Sequence, residues 1–143
     1  MFALHTQLEK DCVPIGDLPL SRVLLMNDAN YPWLVLVPRR ADIVELFQLP
    51  RIDQQQLLDE VAQVAAALAG HFRADKMNVA ALGNVVPQLH VHVIARFCDD
   101  VAWPRPVWGA VPARAYAEDA LRERCAVIED LLVPAGLQAA LRQ

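Results

Sequence analysis

Hydrophobic residues come in short bursts along this chain, and the spacing inside each burst separates strand from helix. Arg22 to Met26 and Trp33 to Val37 are β-branched and aliphatic runs separated by Asn27-Asp28-Ala29-Asn30-Tyr31-Pro32, a cluster of turn formers. That order predicts a hairpin with a longer loop. Pro38 cannot donate to a continuing ladder, so the second strand is expected to stop there. Leu57, Leu58, Val61, Val64, Ala65, Leu68 and Phe72 recur at helical spacing and predict a helix over Asp53 to Phe72. Asp53 and Gln56 read as its capping box, with Gln54, Gln55, Asp59, Glu60 and Gln63 on the wet side. Met77 to Leu82 is a further apolar run, broken by Gly83-Asn84, and Pro87 opens another strand at Gln88. Two adjacent antiparallel strands with a short connection are the simplest arrangement of that pair. Asp99 to Gly109 is rich in Pro and Trp and predicts a loop lying on the domain. A last helix is expected from Ala117 to Leu132, carrying Leu121, Ile128, Leu131 and Leu132 and ended by Pro134.

One burst departs from the rest. In Gln88-Leu89-His90-Val91-His92-Val93-Ile94-Ala95-Arg96 polar residues alternate with aliphatic ones. Strand side chains alternate faces, so Gln88, His90 and His92 are expected to point one way, and Leu89, Val91 and Val93 the other. The aliphatic face belongs in a core, whereas two half-exposed imidazoles side by side call for chemistry.

Composition narrows what that chemistry serves. At 143 residues the chain fits one domain, residues 1–143, with one core. The longest clean apolar run, Trp33 to Val37, is too short to cross a bilayer. The first ten residues lack the blocks of a secretory signal, and Cys12, Cys98 and Cys125 share no metal or CxxC spacing. A cytosolic protein with reduced thiols is expected, with no membrane partner. A net charge of −4 argues against nucleic acid as the main partner, since phosphate backbones need a basic field, but leaves room for a local anion pocket.

Three readings of His90 and His92 follow from residue chemistry. They can be hydrogen-bonded sheet histidines without further role. They can begin a zinc or iron site, although His5 and His71, the other imidazoles, sit in no recognisable ligand spacing and read as surface residues. They can also serve nucleophilic catalysis on phosphorus: a backbone carbonyl holding one ring N–H leaves a lone pair on the other nitrogen, and a second imidazole on the same face can donate to a phosphate oxygen or the departing group.

Here the sequence resembles the histidine triad (HIT) family of nucleotide hydrolases and transferases, whose motif is His-φ-His-φ-His-φ-φ, with φ hydrophobic. It reads Gln88-Leu89-His90-Val91-His92-Val93-Ile94, so Gln stands at the first histidine position. The resemblance implies that His90 is the nucleophile forming a nucleotidyl intermediate. It further implies that His92 contacts the phosphate and assists the leaving group, and that Gln88 supports the site by hydrogen bonding. It extends over residues 18–109, leaving 110–143 as a C-terminal helical extension. Asn84 falls where the family carries a phosphate-contacting amide, followed by Val85 where a hydroxyl is usual. Asn27 or Asp28 matches the ribose-binding position, Val37-Pro38-Arg39-Arg40 the strand-ending Pro with basic residues, and Trp103-Pro104 a C-terminal Trp-Pro. Trp108 is then available to close over the site.

The implied fold is α+β, an antiparallel sheet of about five strands with a long packed helix and a C-terminal helix, assembled as a homodimer. The implied activity is hydrolysis at the α-phosphate of a dinucleoside polyphosphate or nucleoside phosphoramidate. No metal or other cofactor is required for that chemistry, and a magnesium-bound polyphosphate is compatible with it. Two rivals accompany it: a nucleotide-binding regulatory module that has lost turnover, as Gln88 and Val85 suggest, and a metal-dependent enzyme ligating through His90 and His92.

Overall fold

The hairpin expected from the first two apolar bursts is the centre of the sheet. In the computed structural model, which describes residues 1–141, strand β2 (Ser21–Met26) pairs antiparallel with β3 (Trp33–Pro38), from Ser21 opposite Pro38 to Leu25 opposite Leu34. Every residue of β3 is buried, which is why it reads as a continuous apolar run. Its alternation still sorts the faces, and in place of the one core expected from length there are two: Leu34 and Leu36 join the first, while Trp33, Val35 and Val37 join the second.

Strand β1 (Cys12–Asp17) adds to β2, and a two-residue strand β6 (Gln138–Ala139) to β1. On the other side β5 (Val91–Arg96) pairs with β3, and β4 (Lys76–Ala80) closes the edge against β5. The sheet is therefore antiparallel throughout, in the order β4-β5-β3-β2-β1-β6, the expected number of about five strands plus the two-residue β6. The class is α+β, with helices α1 (Thr6–Asp11), α2 (Arg51–Phe72) and α3 (Glu118–Leu132).

Leu57, Val61, Val64 and Leu68 of α2 and Cys125, Ile128 and Leu132 of α3 cover one face of the sheet, against Val23, Leu25, Leu34, Leu36, Val91 and Val93. Leu89 joins them, as its alternation predicted. Among the described residues the opposite face has no long helix. It is covered by Leu8 of α1 and, from the segment that follows β5, by Ala102 and Val107.

Several local expectations need correcting. Helix α2 begins at Arg51 after Pro50, whose fixed φ suits a helix entry, and Asp53 makes no cap. Its carboxylate instead takes two hydrogen bonds from Arg40, at 2.7 and 3.1 Å. Glu60 is on no wet face: it is 1% exposed and accepts from the backbone N–H groups of Leu20 and Ser21 at 2.8 and 2.9 Å and from Gln56 at 2.8 Å. A buried carboxylate is tolerable when its lone pairs are so occupied. The strand expected from Gln88 starts at Val91, and residues 81–90 form a longer connection than expected, turning at Gly83 with φ +82°.

Candidate functional site

The site is on the sheet face without long helices. Val35 on β3 lies opposite His92 on β5, and Trp33 lies opposite Ile94, so Trp33 and His92 are diagonal neighbours on one face. The indole Nε1–H of Trp33 donates to His92 Nδ1 at 2.9 Å. An accepting Nδ1 carries no proton, so His92 is the neutral tautomer with its hydrogen on Nε2. Burial, followed by the neighbouring His90, pushes its pKa down to about 4. His92 is therefore an uncharged donor at neutral pH.

His90 precedes the strand and has the opposite tautomer. Its Nδ1 is 2.6 Å from the backbone carbonyl oxygen of Gln88. A carbonyl can only accept, so Nδ1 holds a proton, and in the neutral ring Nε2 bears the free lone pair. The two rings meet edge to face, with centroids 5.0 Å apart. The pair thus presents the outward Nε2 of His90 beside the N–H donor of an uncharged His92. His90 is not the half-exposed residue that alternation suggested; it is 6% exposed, with the ring of His92 packed beside it.

The segment after β5 is fixed over this face by a buried ion pair. Arg96 donates to both oxygens of Asp100 at 2.8 and 3.0 Å, and also to Asn78 and to the carbonyl of Arg105. Burial would raise the pKa of Asp100, but hydrogen bonds from Arg96 and from the backbone N–H groups of Phe97 and Ala102 bring it down to about 2. Arg96 also lies over the rings of Tyr31 and Trp103. Beyond this knot, Trp108 packs on His92 with centroids 5.1 Å apart and on Trp33 at 5.9 Å. Trp33 and Trp108 also wall a cavity of about 410 Å³ whose lining includes Lys10, Met26, Asn27 and Asp28.

A HIT domain family model matches residues 7–99. The chain belongs to the histidine triad family. Solved structures of histidine triad proteins agree along nearly the whole chain. The one from Bradyrhizobium japonicum is 50% identical, with a TM-score of 0.88 over 90% of this chain and 96% of its own. The one from Sinorhizobium meliloti 1021 is 49% identical, with a TM-score of 0.89 over 92% and 98%. The one from Marinobacter aquaeolei VT8 is 46% identical, with a TM-score of 0.92 over 94% and 98%. No curated protein matched the chain. HIT proteins are generally nucleotide hydrolases or transferases, and the fold seen here is theirs.

Of the residues that HIT resemblance singled out, the structure brings His90, His92 and Trp108 together and sets Asn27 and Asp28 along the adjoining cavity. Asp28 is 6% exposed, and its Oδ1 accepts from the N–H groups of Asn30 and Arg114. Asn27 Oδ1 accepts from Tyr116 N–H at 2.9 Å. Both side chains therefore tie the segment leading into α3 to the hairpin loop. Gln88 serves His90 through its backbone, while its amide binds the N-terminal segment, donating to the Ala3 carbonyl and accepting from His5 N–H, each at 2.9 Å. Asn84 is exposed in the 81–90 connection. Among the described residues no group of three or more His, Cys, Asp or Glu side chains is placed to hold a metal ion.

Trp33 was missed by sequence reasoning, as were Arg96 and Asp100. A Trp opening an apolar strand reads as core, and only the β3–β5 register reveals its partner. The Arg96–Asp100 spacing was legible; its burial was not.

Proposed function

We propose that this HIT protein hydrolyses a nucleotide derivative at its α-phosphate, the substrate being a dinucleoside polyphosphate or a nucleoside phosphoramidate. The observation that carries this reading is the 2.6 Å contact between His90 Nδ1 and the Gln88 carbonyl, which leaves Nε2 as an oriented lone pair. In the first step Nε2 bonds to the α-phosphorus as the bond to the departing group breaks. The positive charge that develops on the ring is stabilised by the carbonyl at Nδ1–H. Water then displaces His90 and releases the nucleoside monophosphate. His92 Nε2–H is a preset donor for the charge that grows on phosphate oxygen. The nucleoside fits the cavity walled by Trp33 and Trp108, where Asn27 and Asp28 supply polar groups for a ribose. Asn84 meets the phosphate once substrate is bound, and Gln88 holds the N-terminal segment against the site.

The same reading makes the protein a homodimer and its partner a nucleotide rather than a nucleic acid or a membrane. Support for the dimer comes from β4 at the sheet edge, where Val79 is 50% exposed, and from Leu58 of α2, which is 64% exposed. The second reading, a nucleotide-binding module without turnover, is favoured by the low exposure of His90.

Incubation with diadenosine tetraphosphate or adenosine phosphoramidate separates the two readings. Release of AMP, falling on the order of 10³-fold or more in His90→Ala while the variant still unfolds cooperatively, is the expected result. Binding of the same compounds with no AMP released would establish the module instead.

A further inference from the structure

Trp33 does more than fill space beside the imidazoles. Its N–H···Nδ1 bond is 2.9 Å long, and both partners are nearly sealed from water, Trp33 at 6% and His92 at 4% exposure. An imidazole that acts as a general acid must carry two ring protons. In His92 the second would sit on Nδ1, facing the indole N–H, so that two donors would confront each other with no acceptor between them. The aromatic walls, Trp33 itself and Trp108, supply no carboxylate to hold such a cation, and the titratable neighbour at the ring is His90. Lys10, Asp11 and Asp28 line the cavity beyond the two indoles.

We propose that Trp33 is a positioning residue which fixes His92 as a neutral Nε2–H donor. The site is thereby directed to phosphoanhydrides, whose departing group leaves as an oxyanion, in preference to phosphoramidates, whose departing amine needs a proton. This rests on His90 being the nucleophile. For an anhydride the step balances without an acid: the Nε2 lone pair forms the N–P bond, the bridging P–O bond breaks, and its electron pair stays on the departing phosphate. His92 donates a hydrogen bond and keeps its proton. For a phosphoramidate the pair from the P–N bond would be left on nitrogen, and a proton has to arrive from elsewhere. The depressed pKa of His92 agrees with the geometry.

Ring-¹⁵N-labelled histidine in the full-length protein reads the tautomer directly. At about pH 7 His92 is expected to show a protonated Nε2 and an unprotonated, hydrogen-bonded Nδ1, and in Trp33→Phe to give a tautomer mixture that titrates nearer the ordinary imidazole range. A wild-type His92 protonated at Nδ1 overturns the assignment, and that measurement needs no variant to fold and no substrate to turn over. With diadenosine tetraphosphate and adenosine phosphoramidate as probes, kcat/KM is expected to favour the anhydride by on the order of tenfold or more. Trp33→Phe should narrow that ratio on the phosphoramidate side, by letting His92 take up the second proton that the departing amine needs. A wild-type preference for the phosphoramidate, or a ratio unmoved by the substitution, overturns the substrate class while leaving hydrolysis through His90 standing. Failure to release AMP from either probe defeats the hydrolase reading and the substrate class with it, and the ring spectra still decide what Trp33 does to His92.

Discussion

The two faces of the sheet are built on different principles. Against α2 and α3 the contacts are almost wholly aliphatic, as between Val64, Leu68 and Ile128 and the strand residues Val23, Leu34 and Val93. Such contacts are non-directional, and many side chains share the load. The opposite face places an ion pair, two imidazoles and three indoles around its apolar residues, and directional hydrogen bonds fix the Trp33 indole, both imidazoles, Arg96 and Asp100. Stability is spread over the first face, while the second trades redundancy for fixed orientation, which is what a site needs before charge develops on a substrate.

Substitutions should therefore behave differently on the two faces. Arg96→Ala is expected to have the largest effect on stability, about 3–5 kcal/mol, because it strands the buried carboxylate of Asp100 and frees the segment that carries Trp108. Denaturant unfolding measures the cost, and the catalytic rate is expected to fall with it. Leu68→Ala comes next, at about 2–4 kcal/mol for a fully buried helix residue, with kcat unchanged on the protein that remains folded. Equal losses of activity in the two variants would erase the distinction between the faces.

Acid should attack the site face selectively. The unfolded His92 takes up a proton at about pH 6.5 and the folded one at about 4, so in between the unfolded chain binds more protons. The stability it contributes is present above about pH 6.5 and lost as pH falls toward 4, on the order of 3 kcal/mol over the full interval. Asp100 acts in the same direction lower down, its contribution disappearing between the ordinary carboxylate range and its folded value of about 2. Thermal unfolding in His92→Phe should lack the upper part of this decline; an unchanged pH profile would show that the ring is not held neutral. The smallest effect belongs to Gln88→Ala, which removes both hydrogen bonds to the N-terminal segment. A loss of about 1 kcal/mol is expected, with hydrogen exchange quickening at His5, whose N–H the Gln88 amide accepts.

The same division governs how much was legible in the sequence. Helix α2 and strands β2 and β3 declare themselves through the spacing of aliphatic residues, because burial against a face imposes a period. Strand β1 does not, since Cys12-Val13-Pro14-Ile15-Gly16-Asp17 contains both a Pro and a Gly and shifts register between Pro14 and Gly16. Glu60 looks like a wet residue by spacing alone; its burial depends on two N–H groups, 40 and 39 residues earlier, that seek an acceptor. His90 and His92 were visible as a pattern, yet their tautomers were not, for these depend on a carbonyl two residues back and on an indole brought over by strand register. Trp108 was legible as a candidate, but its seat on His92 depends on the course of the segment that the Arg96–Asp100 pair fixes.

Everything functional in this account depends on the free nitrogen of His90. Mass spectrometry of protein quenched during turnover of diadenosine tetraphosphate reads it directly. A nucleotidyl adduct is expected on the peptide carrying His90, formed before AMP appears and absent in His90→Ala. AMP released at full rate with no adduct, or with the adduct on another residue, would contradict it.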